Sequence, residues 1–271
     1  VLIPDGEILN QRVLFKPLEV KVVQGRCQAA QEAQHLFDLE KEAPFIASIY
    51  IESDNDTHLS MCIHHSAFDG ASLPVLFNEL SALYKDGNQL GPLPLQYADF
   101  SEWQRGWLTD TELERQVEFW KRELADAPTV LDLPTDKPRG AVVSHKGDHL
   151  RRTVKNTIRQ GIERIAGEMR VTPFCVLLAA FGIVIGRHSG RDDVLIASPV
   201  ANRRDASLNQ LIGFFANTLA LRVDWRDHSS TEEGEGGKGV EIEEVMKRVW
   251  KMMMGAHDHQ DVPFEVLVEA M

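Results

Sequence analysis

Apolar and polar positions alternate in two neighbouring stretches of the first hundred residues. Residues 45–53 (FIASIYIES) and 58–65 (HLSMCIHH) are rich in β-branched, aromatic and aliphatic side chains, and the polar residues 54–56 (DND) lie between them. Alternation with a period of two, interrupted by a short run of Asp and Asn, is typical of a β-hairpin. The pattern therefore predicts two antiparallel strands, the second of which ends at His65.

Helical spacing begins directly after this hairpin. Apolar residues recur at intervals of three and four from Leu73 to Tyr84, and Ser72 is the predicted capping residue. A second amphipathic helix is predicted from a capping box at residues 111–114 (TELE) to about Asp126. The predicted order is strand, sharp turn and helix, with residues 66–71 in the turn.

The second half of the chain also alternates between helical and strand patterns. Residues 158–169 predict an amphipathic helix, and Thr172 with Pro173 begins another helix that is apolar nearly all round and is therefore expected to be buried. Strands are predicted at 193–200 and 217–224, and a further helix at 242–256.

Two segments lack either period. Residues 133–140 (LPTDKPRG) contain two prolines and a glycine, which disfavour helix and strand alike, so we place a boundary between domains there, at 137/138. Residues 226–239 (RDHSSTEEGEGGKG) are polar and rich in glycine, which predicts a mobile loop.

Composition limits the partners and the compartment. The chain has 271 residues and a formal net charge of -12, which disfavours binding to nucleic acid. Its three cysteines form no CxxC pair, so no disulfide framework is expected. We find no apolar run of about 18 residues and no secretory signal, and we expect a cytoplasmic protein without a membrane segment. A start at Val1 and an end at Met271, inside an apolar stretch, favour a piece of a longer polypeptide.

The densest group of reactive side chains lies at the end of the second predicted strand, at residues 64–70 (HHSAFDG). Strand alternation places the imidazoles of His64 and His65 on opposite faces. An imidazole titrates near neutral pH, so His65 is the candidate general base or proton shuttle. Asp69 can orient an imidazole or pair with a cation, and Gly70 can adopt backbone geometry that other residues avoid or present its amide to an oxyanion.

Two other patterns compete with this site. A zinc site needs several ligands around one point, but the adjacent histidines point in opposite directions, and His257 and His259 have no matching Cys or Glu nearby, so no metal is expected. Residues 234–239 (GEGGKG) mimic a phosphate-binding loop but do not follow a strand, which favours a flexible loop. A GxSxG elbow and an SxxK pair are both missing, so no motif supports a covalent serine mechanism.

Residues 64–70 resemble the HHxxxDG signature of the condensation domains of nonribosomal peptide synthetases. Further stretches match blocks of that family in the same order: 97–103 (YADFSEW), 119–120 (FW) with 131–139 (LDLPTDKPR), 198–203 (SPVANR), 212–218 (IGFFANT) and 259–265 (HQDVPFE). Co-linear matches over this length favour membership of the family over chance. The family's early block and its last, arginine-containing block are not found.

This resemblance implies an α/β (α+β) fold of two chloramphenicol-acetyltransferase-like lobes in a V arrangement, each a mixed sheet with flanking helices. Both lobes would be incomplete here, the N-terminal lobe in 1–137 and the C-terminal lobe in 138–271. The implied reaction is attack of an acceptor amine on a donor thioester, which gives an amide and a free thiol. Both substrates would be carried on the phosphopantetheine arms of donor and acceptor peptidyl carrier domains, beside an adenylation domain, and the domain itself would bind no cofactor.

The resemblance also implies roles for individual residues. His65 would lie closest to the chemistry, as base or as positioning group, with His64 beside it. Asp69 would be the structural partner of an arginine rather than a catalytic acid, and Asn217 and Arg203 would line the substrate tunnel or brace the lobes. Core packing is expected for four aromatic residues: Tyr97, Trp103, Phe214 and Phe215.

Alternatives within and outside the reaction class stay open. An epimerisation domain, or an acyltransferase that uses coenzyme A or a carrier-bound donor, would share the fold, and a catalytically silent module would only dock carrier domains. The residues after Gly70 and around Asn217 favour condensation over epimerisation, and the intact His65, Asp69 and Gly70 argue against the silent module. Because both lobes would be incomplete, we expect exposed sheet edges and apolar faces, aggregation, and poor activity of the chain in isolation.

Overall fold

The residues form two compact units. The computed structural model describes residues 1–5, 8–13, 17–87, 90–137, 140, 142, 147–227 and 240–271. Unit 1 contains Val1–Trp107 and Ala201–Ala216, and unit 2 contains Leu108–Val200 and Asn217–Met271. Unit 1 is thus assembled from two stretches that are distant in sequence.

The main sheet of unit 1 has three strands and is mixed. β1 (Leu2–Asp5) and β2 (Ile8–Gln11) form a separate antiparallel pair. β3 (Val20–Gln24) runs parallel to β4 (Phe45–Ser53), which pairs antiparallel with β5 (Asp56–Ile63). The predicted hairpin is confirmed, and β5 both begins and ends two residues earlier than expected.

Among its described residues, unit 1 has the α-helices α1 (Ala29–Glu32), α2 (Ser72–Asp86) and α3 (Tyr97–Trp107). The helix predicted from Ser72 is confirmed, and it ends at Gly87, whose positive φ of 58° suits a glycine. Ser72 does not cap it; instead the Asp69 carboxylate accepts from the Ser72 amide. One stripe of α2 is exposed, formed by Leu73, Phe77, Leu80, Leu83 and Tyr84.

A small apolar core joins the two stretches of unit 1. Phe100 of α3 packs with three residues from the 201–216 segment: Leu208, Leu211 and Phe215. The rings of Phe100 and Phe215 lie 4.7 Å apart, and Tyr97 meets Phe215 edge-on at 5.0 Å. Aromatic pairs at these distances add to the stabilisation from buried area.

Unit 2 consists of five helices and an antiparallel pair of strands among its described residues. The elements are α4 (Asp110–Glu123), α5 (Asn156–Met169), α6 (Pro173–Ser189), β6 (Asp193–Val200), β7 (Asn217–Asp224), α7 (Ile242–Asp258) and α8 (Phe264–Ala270). β6 and β7 pair from Asp193 opposite Asp224 to Val200 opposite Asn217. The predicted strands and the 242–256 helix are confirmed.

Helix α6 differs from its expectation. Cys175, Leu178, Ala179, Gly182 and Gly186 form its buried face, and at Gly182 a Cβ would lie 2.7 Å from the side chain of Val223, so only glycine allows this approach of α6 to β7. The opposite stripe is exposed: Phe174, Leu177, Phe181 and Val184. The prediction that α6 is buried all round is therefore wrong, because its apolar surface is wider than the face that α7 and β7 cover.

Helix α4 also begins differently from the prediction. It starts at Asp110 with Thr109 before it, and no side chain caps it, so the predicted capping box at 111–114 is wrong. Asp110 and Glu112 lie in the first turn instead, where negative charge interacts favourably with the helix dipole.

The division into units does not coincide with the predicted boundary at 137/138. Phe119 and Trp120 of α4 belong to the core of unit 2, whereas residues 201–216 pack within unit 1. The lobes proposed for 1–137 and 138–271 stay a prediction. Pro138 and Arg139 of the predicted linker, and residues 228–239 of the predicted loop with its glycine cluster, lie outside the described residues.

Taken one at a time, the described helices are too short or too polar to cross a bilayer. The pair α5 and α6 meets the criteria of length and composition only when combined, across a bend of 106°.

Candidate active site

The two histidines lie in a turn that begins where β5 ends. The His64 amide donates to the carbonyl of Pro44 at 2.8 Å, and His65–Ala67 form one turn of 3-10 helix. Strand alternation does not extend to the imidazoles, because the strand stops at Ile63 and not at His65, so their predicted placement on opposite faces stays a prediction. His64 is half-buried and His65 is exposed.

The hydrogen bond of His65 defines which of its nitrogens is basic. Its Nδ1 lies 2.7 Å from the carbonyl oxygen of Phe68. A carbonyl accepts and never donates, so Nδ1 carries the proton and, in the neutral ring, Nε2 has the free lone pair. Among the described residues, nothing hydrogen-bonds to Nε2, which is therefore available to accept a hydrogen bond or a proton from a bound substrate.

His64 has the opposite arrangement. Its Nδ1 accepts from the Ser66 amide at 3.2 Å and lies 2.8 Å from the Ser66 hydroxyl. The neutral ring therefore carries its proton on Nε2. Phe37 meets the His64 ring edge-on, with 5.8 Å between ring centroids. The adjacent imidazoles thus present different groups, an acceptor nitrogen on His65 and an N–H on His64.

Asp69 is the most densely hydrogen-bonded side chain of this turn, and only 2% of the residue is exposed. Its carboxylate accepts from the Ser72 amide at 2.8 Å, the Ser72 hydroxyl at 2.7 Å and the Phe215 amide at 3.1 Å. Burial alone would raise the pKa of Asp69, but these hydrogen bonds and the charge of Arg203 outweigh it and hold the pKa below its usual value. The carboxylate is therefore ionised at neutral pH.

Arg203 is the cationic partner of Asp69. One guanidinium nitrogen donates to the carbonyls of Leu208 and Leu211, and another donates to Asp69 at 3.1 Å and to the Ser72 hydroxyl at 3.0 Å. The guanidinium lies 4.2 Å from the centre of the Phe215 ring, a distance suited to a cation–π interaction. All of these contacts lie within unit 1.

Three further residues connect the turn to the 201–216 segment, and sequence reasoning gave them no such role. The Ser72 hydroxyl accepts from the Gly213 amide at 3.1 Å. As a donor, the same hydroxyl is within hydrogen-bond distance of the Asp69 carboxylate, at 2.7 Å, and of the Gly213 carbonyl, at 3.0 Å. The Tyr97 hydroxyl donates to the carbonyl of Phe214 at 2.8 Å. A Cβ at Gly213 would collide with the Tyr97 ring, so glycine permits this close packing. The only indication in the sequence that these segments contact one another was that the 64–70, 97–103 and 212–218 motifs occur together.

Gly70 differs from its predicted conformation. Its φ is outside the positive region, and a Cβ added there would meet nothing within 4 Å. The prediction that Gly70 adopts geometry barred to other residues is therefore wrong. What glycine contributes is a bare, exposed backbone five residues after His65.

Of the two histidines considered as rival metal ligands, His259 has other partners. His259 stacks on Phe119 with 3.9 Å between ring centroids, and its Nε2 and Nδ1 contact Arg115 at 2.9 Å and the Gly255 carbonyl at 2.8 Å. Both ring nitrogens are thus occupied. Among the described residues, ligand atoms of Glu52, Asp56 and His58 lie within 4.8 Å of one another, but all three are exposed. They lie around the β4–β5 turn, at the opposite end of β5 from His65.

Comparison with known protein families shows which family this chain belongs to. The model described as the condensation domain matches residues 21–271, which include every residue of the site above. The chain belongs to the condensation domain family. The resemblance to condensation domains of nonribosomal peptide synthetases is therefore confirmed.

This condensation domain is similar in sequence to Malpinin synthetase of Mortierella alpina. The two are 36% identical over 274 residues, which cover 99% of this chain and 3% of the synthetase. The chain thus spans a small part of that relative.

Solved structures show the same fold. The X-domain from teicoplanin biosynthesis matches with a TM-score of 0.84 and 23% identity, covering 99% of this chain and 61% of that one. Holo-AB3403, a four-domain nonribosomal peptide synthetase bound to AMP and glycine, matches with a TM-score of 0.77 and 24% identity, covering 94% of this chain and 19% of that one. The predicted mixed α/β fold class is confirmed.

The remaining predicted residues of the condensation domain have mixed outcomes. Asn217 lies in unit 2, where its side-chain amide donates to the carbonyls of Gln260 at 2.7 Å and Val262 at 2.6 Å. It braces the 260–262 segment of that unit, and its predicted role in a tunnel stays a prediction. Phe215 is a core residue as expected, and Tyr97 is half-buried. Core packing is wrong for Trp103 and Phe214, which are 51% and 39% exposed.

Proposed function

We propose that this condensation domain joins two groups that are carried as thioesters. The acceptor's α-amine attacks the carbonyl carbon of the donor thioester, a C–N bond forms, the C–S bond breaks, and the donor carrier regains its thiol. The residues after Gly70 and around Asn217 support this reaction over epimerisation, and the intact His65, Asp69 and Gly70 support it over a docking role.

The observation that carries the proposal is the hydrogen bond from His65 Nδ1–H to the Phe68 carbonyl. It leaves Nε2 as an acceptor on an exposed ring. In the proposed mechanism, Nε2 takes a proton from the attacking amine as the C–N bond forms. The same proton is then delivered to the leaving thiolate, so the histidine returns to its starting state.

Asp69 has a supporting role in this mechanism. Its pKa is held below the usual value and its oxygens are occupied by Ser72, Phe215 and Arg203, so it is not available as a proton donor. We propose that it holds the histidine turn against the 212–215 segment. His64 presents an N–H on the neighbouring side, and Gly70 leaves the backbone beside the turn open to a substrate arm.

The partners follow from the same chemistry. We propose that donor and acceptor peptidyl carrier domains deliver both groups on phosphopantetheine arms, that an adenylation domain lies in the same polypeptide, and that the domain uses no cofactor of its own. The two lobes at 1–137 and 138–271, tunnel or bracing roles for Asn217 and Arg203, and a cytoplasmic location belong to this proposal.

The decisive experiment compares wild type with His65→Ala in the polypeptide that carries this chain, with donor-loaded and acceptor-loaded carrier domains. Dipeptidyl carrier is followed by intact mass, and folding by circular dichroism. His58→Ala, at an exposed histidine near the start of β5, is the matched control. We expect product from wild type and His58→Ala and a large loss in His65→Ala. Undiminished product from His65→Ala would overturn the role of His65. If the folded wild type gives no product, the condensation reaction itself is rejected, and epimerised donor or activity with a coenzyme A thioester identifies the alternative.

We also propose that the chain in isolation is impaired. The exposed stripes of α2 and α6 contain nine large apolar side chains between them, and contiguous apolar surface of this kind favours association. We expect self-association of the isolated chain in sedimentation velocity, reduced by Phe181→Glu on the exposed stripe. Leu178→Glu, on the buried face of the same helix, is the contrasting variant and should unfold the protein. A monomeric, fully active isolated chain would contradict this part of the proposal.

A further inference from the structure

The ring of Phe214 makes an edge-to-face contact with the imidazole of His65. The two ring centroids are 5.1 Å apart and the planes are inclined by 81°. Aromatic pairs favour this T-shaped arrangement at 4.5–7 Å, because the positive edge of one ring meets the negative face of the other. His65 is thus held by two contacts, one at Nδ1 and one on its ring.

Phe214 lies outside the buried apolar cluster of unit 1. Its side chain is 39% exposed, whereas the neighbouring Phe215 is 3% exposed and packs with Phe100. A large apolar side chain gains more from burial than from a half-exposed position. The placement of a phenyl ring at 214 is therefore explained better by its contact with His65 than by packing of the core.

The backbone around Phe214 is fixed on three consecutive residues. The Gly213 amide donates to the Ser72 hydroxyl, the Phe214 carbonyl accepts from the Tyr97 hydroxyl, and the Phe215 amide donates to Asp69. A loop whose peptide groups are hydrogen-bonded in sequence presents its side chain at a defined position. The same Asp69 and Ser72 follow His65 in the turn, so both rings are positioned from one network.

We propose that Phe214 is the positioning residue for His65. The Nδ1–H bond to Phe68 sets the tautomer but is a single hydrogen bond on an exposed side chain, and the Phe214 ring limits rotation of the imidazole about its χ1 and χ2 torsions so that Nε2 faces the reacting amine. This inference rests on the proposed function, since it assigns Phe214 a part in the same proton transfer. Loss of the aromatic contact reduces the population of the productive orientation, which corresponds to a rate loss of roughly tenfold.

Three variants separate this role from packing and from substrate contact. Phe214→Leu keeps an apolar side chain and removes the aromatic ring, and Phe214→Tyr restores the ring. Trp103→Leu is the matched control, because Trp103 is also a half-exposed aromatic residue of unit 1, stacked on Trp107 rather than on His65. Thermal unfolding establishes that all three fold as wild type does.

The first readout needs no catalysis. In protein labelled with ¹⁵N and ¹³C histidine, with His65 assigned through His65→Ala, the ring protons of His65 carry the ring-current shift of Phe214. We expect this shift to be lost in Phe214→Leu and retained in Phe214→Tyr and Trp103→Leu, with the Nδ1–H tautomer less dominant in Phe214→Leu. Unchanged His65 resonances in Phe214→Leu would overturn the inference, whatever the activity of the domain.

The second readout is single-turnover formation of the amide at saturating acceptor. We expect a rate loss of roughly tenfold in Phe214→Leu with an unchanged KM for the acceptor, and wild-type kinetics in Phe214→Tyr and Trp103→Leu. A raised KM with an unchanged rate would make Phe214 a substrate contact instead. If wild type forms no product while the resonance shift behaves as expected, the proposed function is wrong but the contact between Phe214 and His65 is confirmed. If wild type is active and Phe214→Leu forms product at the same rate, the positioning role of Phe214 is wrong.

Discussion

Arg203 donates to Asp69 at 3.1 Å, and the two side chains are only 4% and 1% exposed. The pair connects positions that are 134 residues apart in the chain. Removal of one partner from a buried ion pair leaves an uncompensated charge, which costs far more than the loss of an exposed pair.

The first prediction concerns this pair. We expect Arg203→Met to lower the free energy of unfolding by about 3–5 kcal/mol, because it leaves the buried Asp69 carboxylate without its counter-charge. Urea denaturation followed by near-ultraviolet circular dichroism measures this loss. Lys41→Met, which removes the exposed partner of Asp38, should leave the unfolding free energy unchanged within error. Equal effects of the two substitutions would show that the Asp69–Arg203 pair is not the stabilising contact that its burial indicates.

The second prediction concerns pH. The folded-state pKa of Asp69 is lowered, although burial opposes this, because hydrogen bonds from Ser72 and Phe215 and the charge of Arg203 favour the ionised form. Its stabilising contribution is therefore fully present above the unfolded-state pKa of about 3.9 and is lost as the pH falls through the folded-state value. Urea unfolding between about pH 2 and pH 5 should show a smaller dependence on pH in Asp69→Asn than in wild type. Identical slopes would argue that other carboxylates account for the acid sensitivity.

The third prediction compares two glycines of the site. A Cβ at Gly213 would collide with the Tyr97 ring and lie 2.9 Å from Phe215, whereas a Cβ at Gly70 would meet nothing within 4 Å. We expect Gly213→Ala to lose about 1–3 kcal/mol of unfolding free energy, as overpacking does. Gly70→Ala should fold as wild type but form product more slowly, because its methyl group adds bulk to the exposed backbone that we propose a substrate arm crosses. Calorimetry and intact-mass assays measure the two effects. A wild-type rate in Gly70→Ala would show that no substrate passes over this backbone.

The fourth prediction concerns Cys175, which is fully buried in unit 2. Burial raises the pKa of its thiol to about 11, so little thiolate is present near neutral pH. Cys27 and Cys62 are only half-buried. At about pH 8, alkylation of Cys175 in the native protein should be slower by roughly a hundredfold than in the unfolded chain, as thiolate fraction and access both fall. Peptide mass spectrometry after timed iodoacetamide treatment gives the rates at all three cysteines. Equal labelling of Cys175 and Cys27 would contradict the packing of α6 against α7.

Local patterns predicted most of the elements and the position of the site. The hairpin, the helix after Ser72 and the strands at 193–200 and 217–224 were predictable because each depends on a period of two or on helical spacing within a few residues. Asp69 was predicted to pair with an arginine from family resemblance, and the structure places Arg203 beside it. Periodicity alone contains no information about a partner so distant in sequence.

The errors have a common physical origin. The end of β5 before His64 and the role of Ser72, which depends on Gly213, do not follow from local spacing. Trp103 and Phe214 have the hydrophobicity of core residues but are half-exposed, because hydrophobicity does not state which of several aromatic neighbours is buried. The exposed stripe of α6 was missed for the same reason.

The distance in sequence between Asp69 and the segment that holds it also orders events during synthesis. When residues 64–72 leave the ribosome, Arg203 and Phe215 have not yet been translated, so Asp69 lacks its cationic partner and the Phe215 amide until more than 130 further residues have been added. Contacts of such high order form late and slow the search for the native state. The turn that carries His64 and His65 can therefore reach its folded conformation only after residue 215 has been synthesised. A pause or truncation before that point leaves a nascent chain that contains strands β3 to β5 but lacks the contacts that hold this turn.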